Sequence, residues 1–372
     1  MSSLEEGSVA RVLVLYTGGT IGMRRTERGH APVPGYFAER LRSYPQLHEQ
    51  GQPVYTTPPS RRGWRIHYEL RSYEPLLDSS NLDLGHWARF ARDIGDAYDD
   101  YDAFVILHGT DTMAYTASAL AFMLEGLAKP VILTGAQIPL ENLRNDAHDN
   151  LLGALGVAGH YRIPEVGLYF HHQLLRGCRA KKVDAADLNA FASPTLPALV
   201  EVAIDVNVRT HLLRPPPPPG RGLVVHTELS PNVAALRLYP GIRPSVLRNV
   251  LLPPVEGLIL ETFGAGNGPD QDGELLRVLR DANDRGVVIV NVTQCLRGRV
   301  RESVYAAGRA LVDVGVVAGA DMTAEAALAK LCYLLGRGLT PDEARRWVPV
   351  SLRGELSEEG ESTPRRTGPP PA

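Results

Sequence analysis

Short apolar runs of strand length alternate with longer helical patterns along almost the whole chain: residues 103–108, 113–124, 131–134, 145–158 and 166–169 form one such series. That alternation predicts an α/β protein whose strands lie in a mainly parallel sheet joined by helical crossovers. It stops at Arg214, which is followed by the five prolines Pro215, Pro216, Pro217, Pro218 and Pro219. Consecutive prolines have no amide donors and favour an extended polyproline II path, so this stretch is expected to be a linker. Beyond it the alternation resumes with 222–226, 255–262, 273–285, 287–290, 305–313 and 324–335.

At 372 residues with 44% hydrophobic content, the chain exceeds the ~250–300 residues at which single cores stop growing, so two domains are expected. The expected layout is a disordered N-terminus at 1–9, a larger catalytic α/β domain at 10–207 and a proline-rich linker at 208–221. A smaller C-terminal α/β domain at 222–354 and a polar, aromatic-free, disordered tail at 355–372 complete it.

The charges, 39 basic against 42 acidic for a net −3, are interspersed and leave no basic stripe for phosphates, so nucleic acid is not an expected partner. The start, Met1-Ser2-Ser3-Leu4-Glu5-Glu6, lacks the basic and apolar regions of a secretory signal, and no apolar run reaches the ~20 residues that span a bilayer. Cys178, Cys295 and Cys332 are widely spaced and odd in number, which suits reduced thiols. A cytoplasmic protein without membrane contact is expected. No HExxH or clustered Cys/His spacing points to a metal. The loop Gly264-Ala265-Gly266-Asn267-Gly268 imitates a dinucleotide fingerprint but lacks its third glycine at the right spacing, so no cofactor is expected.

Two strands in the first third run into threonine-bearing glycine turns, Thr17-Gly18-Gly19-Thr20 and Gly109-Thr110-Asp111-Thr112. Open α/β sheets build ligand sites at the carboxyl ends of their strands, and two hydroxyls delivered there suit acyl transfer. Glycines in such turns allow close approach and expose amide donors to a carboxylate or oxyanion. Each turn taken alone also reads as a helix cap. A nucleophilic threonine needs a proton acceptor. The adjacent His171 and His172 are expected on opposite faces of a strand, so both cannot line one site. Lysine is scarce, with only Lys129, Lys181, Lys182 and Lys330. In an arginine-rich chain, a lysine suits a role that requires deprotonation, and Lys182, after a strand, is a candidate base.

These residues resemble the bacterial-type L-asparaginases, in particular the cytosolic type I branch that includes the asparaginase domain of animal enzymes. The resemblance rests on Tyr16-Thr17-Gly18-Gly19-Thr20-Ile21-Gly22-Met23, His108-Gly109-Thr110-Asp111-Thr112-Met113-Ala114 and Leu133-Thr134-Gly135-Ala136-Gln137. It continues through Asn150-Leu151-Leu152-Gly153-Ala154, Phe191-Ala192-Ser193-Pro194, the 261–269 loop and Gly319-Ala320-Asp321-Met322-Thr323. It implies a two-domain asparaginase-like fold, an amidohydrolase converting L-asparagine and water to L-aspartate and ammonia without metal or organic cofactor, and a homodimer or homotetramer. Thr20 corresponds to the nucleophile, and Thr110, Asp111 and Lys182 to a second, more rigid triad. Tyr305 corresponds to the partner of Thr20, with Tyr36 as the alternative. Ser79, flanked by Asp78 and Ser80, is implied for the substrate carboxylate, Asp111 and Asp78 for the ammonium, and amides of the Gly19 turn and near Ala136 for the oxyanion.

Two features depart from the family pattern: Lys181 stands where relatives commonly carry threonine, which bears on the regulatory asparagine site of some type I members, and the five-proline run is unusual. The rival readings are the ammonia-supplying subunit of a tRNA-dependent amidotransferase, which carries an extra N-terminal domain, and a non-catalytic amino-acid sensor. A lysophospholipase activity, ascribed to longer animal relatives, has no motif support.

Overall fold

The computed structural model describes residues 9–27, 29–60, 63–269, 273–301 and 306–358. The larger domain is built on a nine-stranded sheet. Its centre is five parallel strands in the spatial order Arg65–Leu77, Val9–Gly18, Ala103–Leu107, Val131–Thr134, Val166–Phe170. Antiparallel strands extend both edges: Tyr55–Thr56 on one side, and Gln173–Arg176, Val200–Val202 and Val206–Val208 on the other.

The central strands are buried on both faces, so successive residues feed different cores. Val12, Val14, Ala103, Val105 and Leu107 pack on one side, against Leu151, Ala154 and Leu155 of the helix Ala147–His160. Leu13, Leu15, Phe104 and Ile106 face the other side, towards the helices Leu84–Asp96 and Met113–Met123. The first of these two helices is amphipathic and starts at a capping box, in which Asp83 accepts from the amide of His86. The second is apolar all round, the mark of a helix with protein on every side.

What covers the outer side of Met113–Met123 is the helix Ala324–Gly336 of the second domain. That domain is a four-stranded parallel sheet, Val233–Arg237, Gly257–Thr262, Val288–Thr293 and Val317–Ala318, in sequence order. Ile259, Val288, Val290 and Val292 share one apolar cluster with Leu331, Leu120 and Phe122, so a single core runs through both domains. The opposite face, with Leu258, Leu260 and Ile289, is covered by Leu247 and by Leu275 and Leu279 of flanking helices.

Three local expectations are corrected. The stretch 222–226 does not open the second sheet: Val224–Val225 pairs with Leu124–Glu125 at the end of the buried helix, and the second sheet begins at Val233. His171 and His172 are not strand residues on opposite faces; they form the turn between Val166–Phe170 and Gln173–Arg176, with φ of 45° and 63°. Residues 355–358 are not part of a tail. Glu355 is fully buried, accepts from the amides of Leu352 and Arg353, and sits 2.5 Å from Lys330 Nζ. Leu356 is buried beside it, and Ser357 bonds to Asp321.

Burial works against the charge on both Glu355 and Lys330. For Glu355 the Lys330 ammonium and the backbone amides outweigh it and hold the pKa below the ordinary value, whereas for Lys330 burial dominates and lowers it. Lys330 also donates to the carbonyls of Val348 and Val350. Removing one member of such a pair leaves an uncompensated buried charge. Glu355→Ala is therefore expected to destabilise the protein by about 3–5 kcal/mol, whereas the double variant Glu355→Ala with Lys330→Met recovers part of that loss. Urea unfolding of the full chain measures both, and additive losses in the double variant would refute the pairing.

Candidate active site

Four neighbouring parallel strands end at one edge of the larger sheet, and each leads into a short turn. Arg65–Leu77 leads to Asp78, Ser79 and Ser80, and Val9–Gly18 to Gly19 and Thr20. Ala103–Leu107 leads to Gly109, Thr110 and Asp111, and Val131–Thr134 to Gly135, Ala136 and Gln137. The chain goes from Val9–Gly18 to one side, then crosses back to build Ala103–Leu107 and its successors on the other. This is the topological switch point where open α/β sheets form a crevice, and both threonine turns flank it.

The turns touch through backbone. Gly19 has φ 85°, and a Cβ there would stand 2.6 Å from the Gly109 amide nitrogen and 2.7 Å from its Cα. A Cβ on Gly109 would stand 2.4 Å from Ser79 Oγ. Side chains at either glycine would force the three turns apart.

Hydrogen bonds sort the four threonines. Thr17 Oγ1 donates to the Leu107 carbonyl at 2.8 Å and Thr112 Oγ1 to the Ser79 carbonyl at 2.8 Å, so these two tie strand ends together. Thr20 lies in the 3-10 turn Thr20–Gly22, half-buried, and its hydroxyl makes no hydrogen bond among the described residues. Thr110 is buried and fully engaged: it accepts from Lys182 Nζ at 2.9 Å and donates to Gln137 Oε1 at 3.1 Å. Lys182 Nζ also donates to Asp111 Oδ1 at 2.8 Å. In this arrangement Lys182 is a donor rather than a base, and its cation favours negative charge at the Thr110 oxygen.

Lys182 arrives from outside the parallel strands. The two-residue strand Lys181–Lys182 pairs with Phe191–Ala192, and its approach is anchored by the second domain. Arg179, 2% exposed, donates to Asp321 at 2.8 Å, and Lys181 pairs with Glu325 at 2.8 Å. Burial opposes the Asp321 charge, but Arg179 and Ser357 outweigh it and hold the carboxyl below the ordinary range.

Asp78 is exposed, and its carboxylate accepts from the amide of Ser80, capping the turn Ser79–Asn81. Ser79 is buried with its hydroxyl unbonded among the described residues, while Ser80 is exposed. Ala136 is buried in the fourth turn. Tyr36 Oη donates to Glu141 at 3.0 Å, and burial and that carboxylate raise its pKa, so it is not joined to Thr20 here. Tyr305 lies outside the described residues.

Two supporting groups went unread in the sequence. Gln137 receives the Thr110 proton and is held by Asp146, which accepts from the amides of Gln137 and Ile138 at 2.9 Å each. Asn150 in turn donates to Asp146 and to the Gly135 carbonyl. The second is His108, fully enclosed beneath Gly109. Trp87 Nε1 donates to Thr116 Oγ1 at 3.0 Å, Thr116 meets His108 Nε2 at 2.9 Å, and His108 Nδ1 meets the Gly109 carbonyl at 2.6 Å. Only the neutral Nδ1–H tautomer satisfies the whole chain of donors and acceptors.

Residues 11–214 match the family model described as Asparaginase, N-terminal, and residues 232–348 match the Glutaminase/Asparaginase C-terminal domain. Over 347 residues the chain is 48% identical to L-asparaginase 1 of Escherichia coli K12, spanning 93% of this chain and 98% of that one. It is 47% identical over 361 residues to the human 60 kDa lysophospholipase, spanning 94% of this chain and 62% of that protein. Among solved structures, L-asparaginase I of Vibrio cholerae superposes with a TM-score of 0.83 at 44% identity, covering 94% of this chain and 100% of that one.

Burial pushes the His108 pKa down to about 4, with the Gly109 carbonyl only partly opposing it. An unfolded chain binds that proton near the ordinary ~6.5 and the folded chain does not, so this histidine's contribution to stability is whole above ~6.5 and is lost as pH falls towards 4. Replacing His108 by Gln should reduce the acid-induced loss of stability between pH 7 and 4 by an amount on the order of 3 kcal/mol. Urea unfolding at the two pH values measures it, and an undiminished loss would show that His108 is not buried neutral.

Proposed function

The chain belongs to the asparaginase family, and from that premise we propose that its two threonine turns hydrolyse L-asparagine through an acyl-enzyme on Thr20. The activity is that of an L-asparaginase: the side-chain amide of L-asparagine and one water become L-aspartate and ammonia. The observation that carries the site assignment is the contrast between the two hydroxyls, Thr110 locked between Lys182 and Gln137 and Thr20 unbonded at the switch point.

On this reading Thr20 Oγ1 attacks the amide carbon, its proton passes to a base and on to the departing nitrogen, and water then cleaves the ester. Amides of the Gly19 turn and near Ala136 face the developing oxyanion, usually the largest electrostatic contribution. Thr110, Asp111 and Lys182 form the fixed half of the site and restrain the attack geometry. Ser79 takes the α-carboxylate, and Asp111 with Asp78 takes the α-ammonium. A ligand missing the carboxylate leaves the buried Ser79 hydroxyl unpaired, which supplies selectivity. Tyr305 is proposed to serve Thr20, since Tyr36 is committed to Glu141.

The family is generally oligomeric; a homodimer or a dimer of dimers is proposed for this chain, with a neighbouring C-terminal domain closing the site. No helix among the described residues is long and apolar enough to cross a membrane, and a cytoplasmic location is proposed.

Thr20→Ala should lower kcat for ammonia release from L-asparagine by about a thousandfold or more, with the fold intact by circular dichroism. Thr110→Val should also be severely impaired, yet its quenched reaction should still yield a Thr20 acyl adduct by mass spectrometry. Near-normal turnover in Thr20→Ala alongside abolished turnover in Thr110→Val would reverse the assignment, and no ammonia from the unaltered protein would sink it.

A further inference from the structure

Four of the five prolines wall a cavity on the larger domain. Arg214 and Arg221 bracket them, and both guanidinium-bearing residues line one cavity of about 240 Å³, with Pro215, Pro216, Pro217 and Pro218 forming part of its wall. Its other charged lining residues are Arg176, Arg353, Glu125 and Glu165. Four arginines against two glutamates leave a surplus of positive charge in a partly enclosed space.

The glutamates are already used. Glu165 receives two donors from Arg176, at 2.5 and 3.1 Å, and the backbone amide of Arg214 at 2.7 Å. Glu125 is shared by Arg221 at 2.5 Å, His226 at 3.0 Å and Arg353 at 3.5 Å. Arg353 spends further donors on the carbonyls of Ala121 and Phe122, at the end of the buried helix, and Arg176 on those of Leu212 and Gly354. Arg214 differs from all of these. Its side chain is half-buried and makes no hydrogen bond or ion pair among the described residues. Burial lowers its pKa, and Arg353 and Arg176 press it in the same direction against the partial relief of Glu165.

An unpaired guanidinium facing a cationic cavity is a cost that an anion would remove. The run does not stay extended: the Arg221 amide donates to the Pro218 carbonyl at 3.1 Å, and this turn brings Arg221 back to the cavity that Arg214 lines. We propose that this cavity is a binding site for a small dianion, phosphate or dicarboxylate, held by the free donors of Arg214 and Arg221. The volume admits one such ion. The site is remote from the threonine turns: it lies at the far end of the helix Met113–Met123, whose first turn follows Asp111. Its existence does not depend on which substrate those turns hydrolyse.

Isothermal titration of the full chain with sodium phosphate and, separately, sodium succinate, against sodium chloride at equal ionic strength, tests it. Saturable one-site binding is expected for at least one dianion, with Kd weakened at least tenfold in Arg214→Gln and in Arg221→Gln. Binding of phosphate alone assigns a phosphoryl ligand, and binding of succinate alone a dicarboxylate. Unchanged melting temperatures without anion separate loss of the site from loss of the fold; should Arg214→Gln fail to fold, the exposed Arg221 decides the matter. No saturable heat beyond chloride, or equal affinity in the variants, overturns the proposal.

Discussion

The site depends on one close approach, that of Gly19 to the Gly109 backbone. Any Cβ on Gly19 would meet main-chain atoms at under 3 Å, and main chain cannot swing aside as a flexible side chain can. Because that contact is backbone on backbone, the turns that follow the two switch-point strands lie directly against each other. Thr17 reinforces the contact from the strand side by bonding to Leu107, and Ser79 closes it from the next strand by packing against Gly109. His108 then fixes the Gly109 carbonyl from below, so the turn that carries Thr110 is held on three sides.

The second domain is a structural part of that site. Lys182 sits on a two-residue strand too short to position itself, and its approach is pinned by Arg179 to Asp321 and by Lys181 to Glu325, both partners belonging to the second domain. The Arg179 pair is buried, so its value lies in what breaking it would cost more than in the stability it adds. Geometry at Thr110 is thereby tied to the seating of the helix Ala324–Gly336 on Met113–Met123. An apolar helix with no solvent face can be covered only by another element, which makes the two domains one cooperative body at this interface.

The central strands and their turns were legible because local pattern suffices for them. An uninterrupted apolar run such as Ala103–Leu107 has no exposed face to accommodate, and a glycine turn that follows it has a fixed place at the sheet edge. Two of the three corrected expectations have a common physical origin in distant partners. Val224–Val225 is a strand only because Leu124–Glu125 offers it an edge, and residues 355–358 are held by Lys330 on Glu355 and by Asp321 on Ser357. Both segments look like linker or tail when read alone. Gln137 and His108 were missed for a related reason: their sequence neighbourhoods, strand ends beside glycine, carry no mark of the hydroxyl or carbonyl each one meets in space. Asp146, at the N-cap of the helix Ala147–His160, makes no side-chain cap bond and instead serves as the acceptor that holds the Gln137 turn.

The division of labour between the two hydroxyls follows from hydrogen-bond capacity. A threonine hydroxyl has one proton to give, and Thr110 gives it to Gln137 while its oxygen takes one from a cation. Attack by that oxygen would require breaking a buried network held by Asp146 and Asn150, a cost added to the chemical barrier. Thr20 has no such commitments, and the hairpin of Met23–Thr26 and Gly29–Pro32 follows it directly. Its freedom has a corresponding cost, since an unbonded hydroxyl is not activated until a base reaches it. The two hydroxyls thus differ in kind: one is fixed by its neighbours and the other is left free for a partner that the site must bring to it.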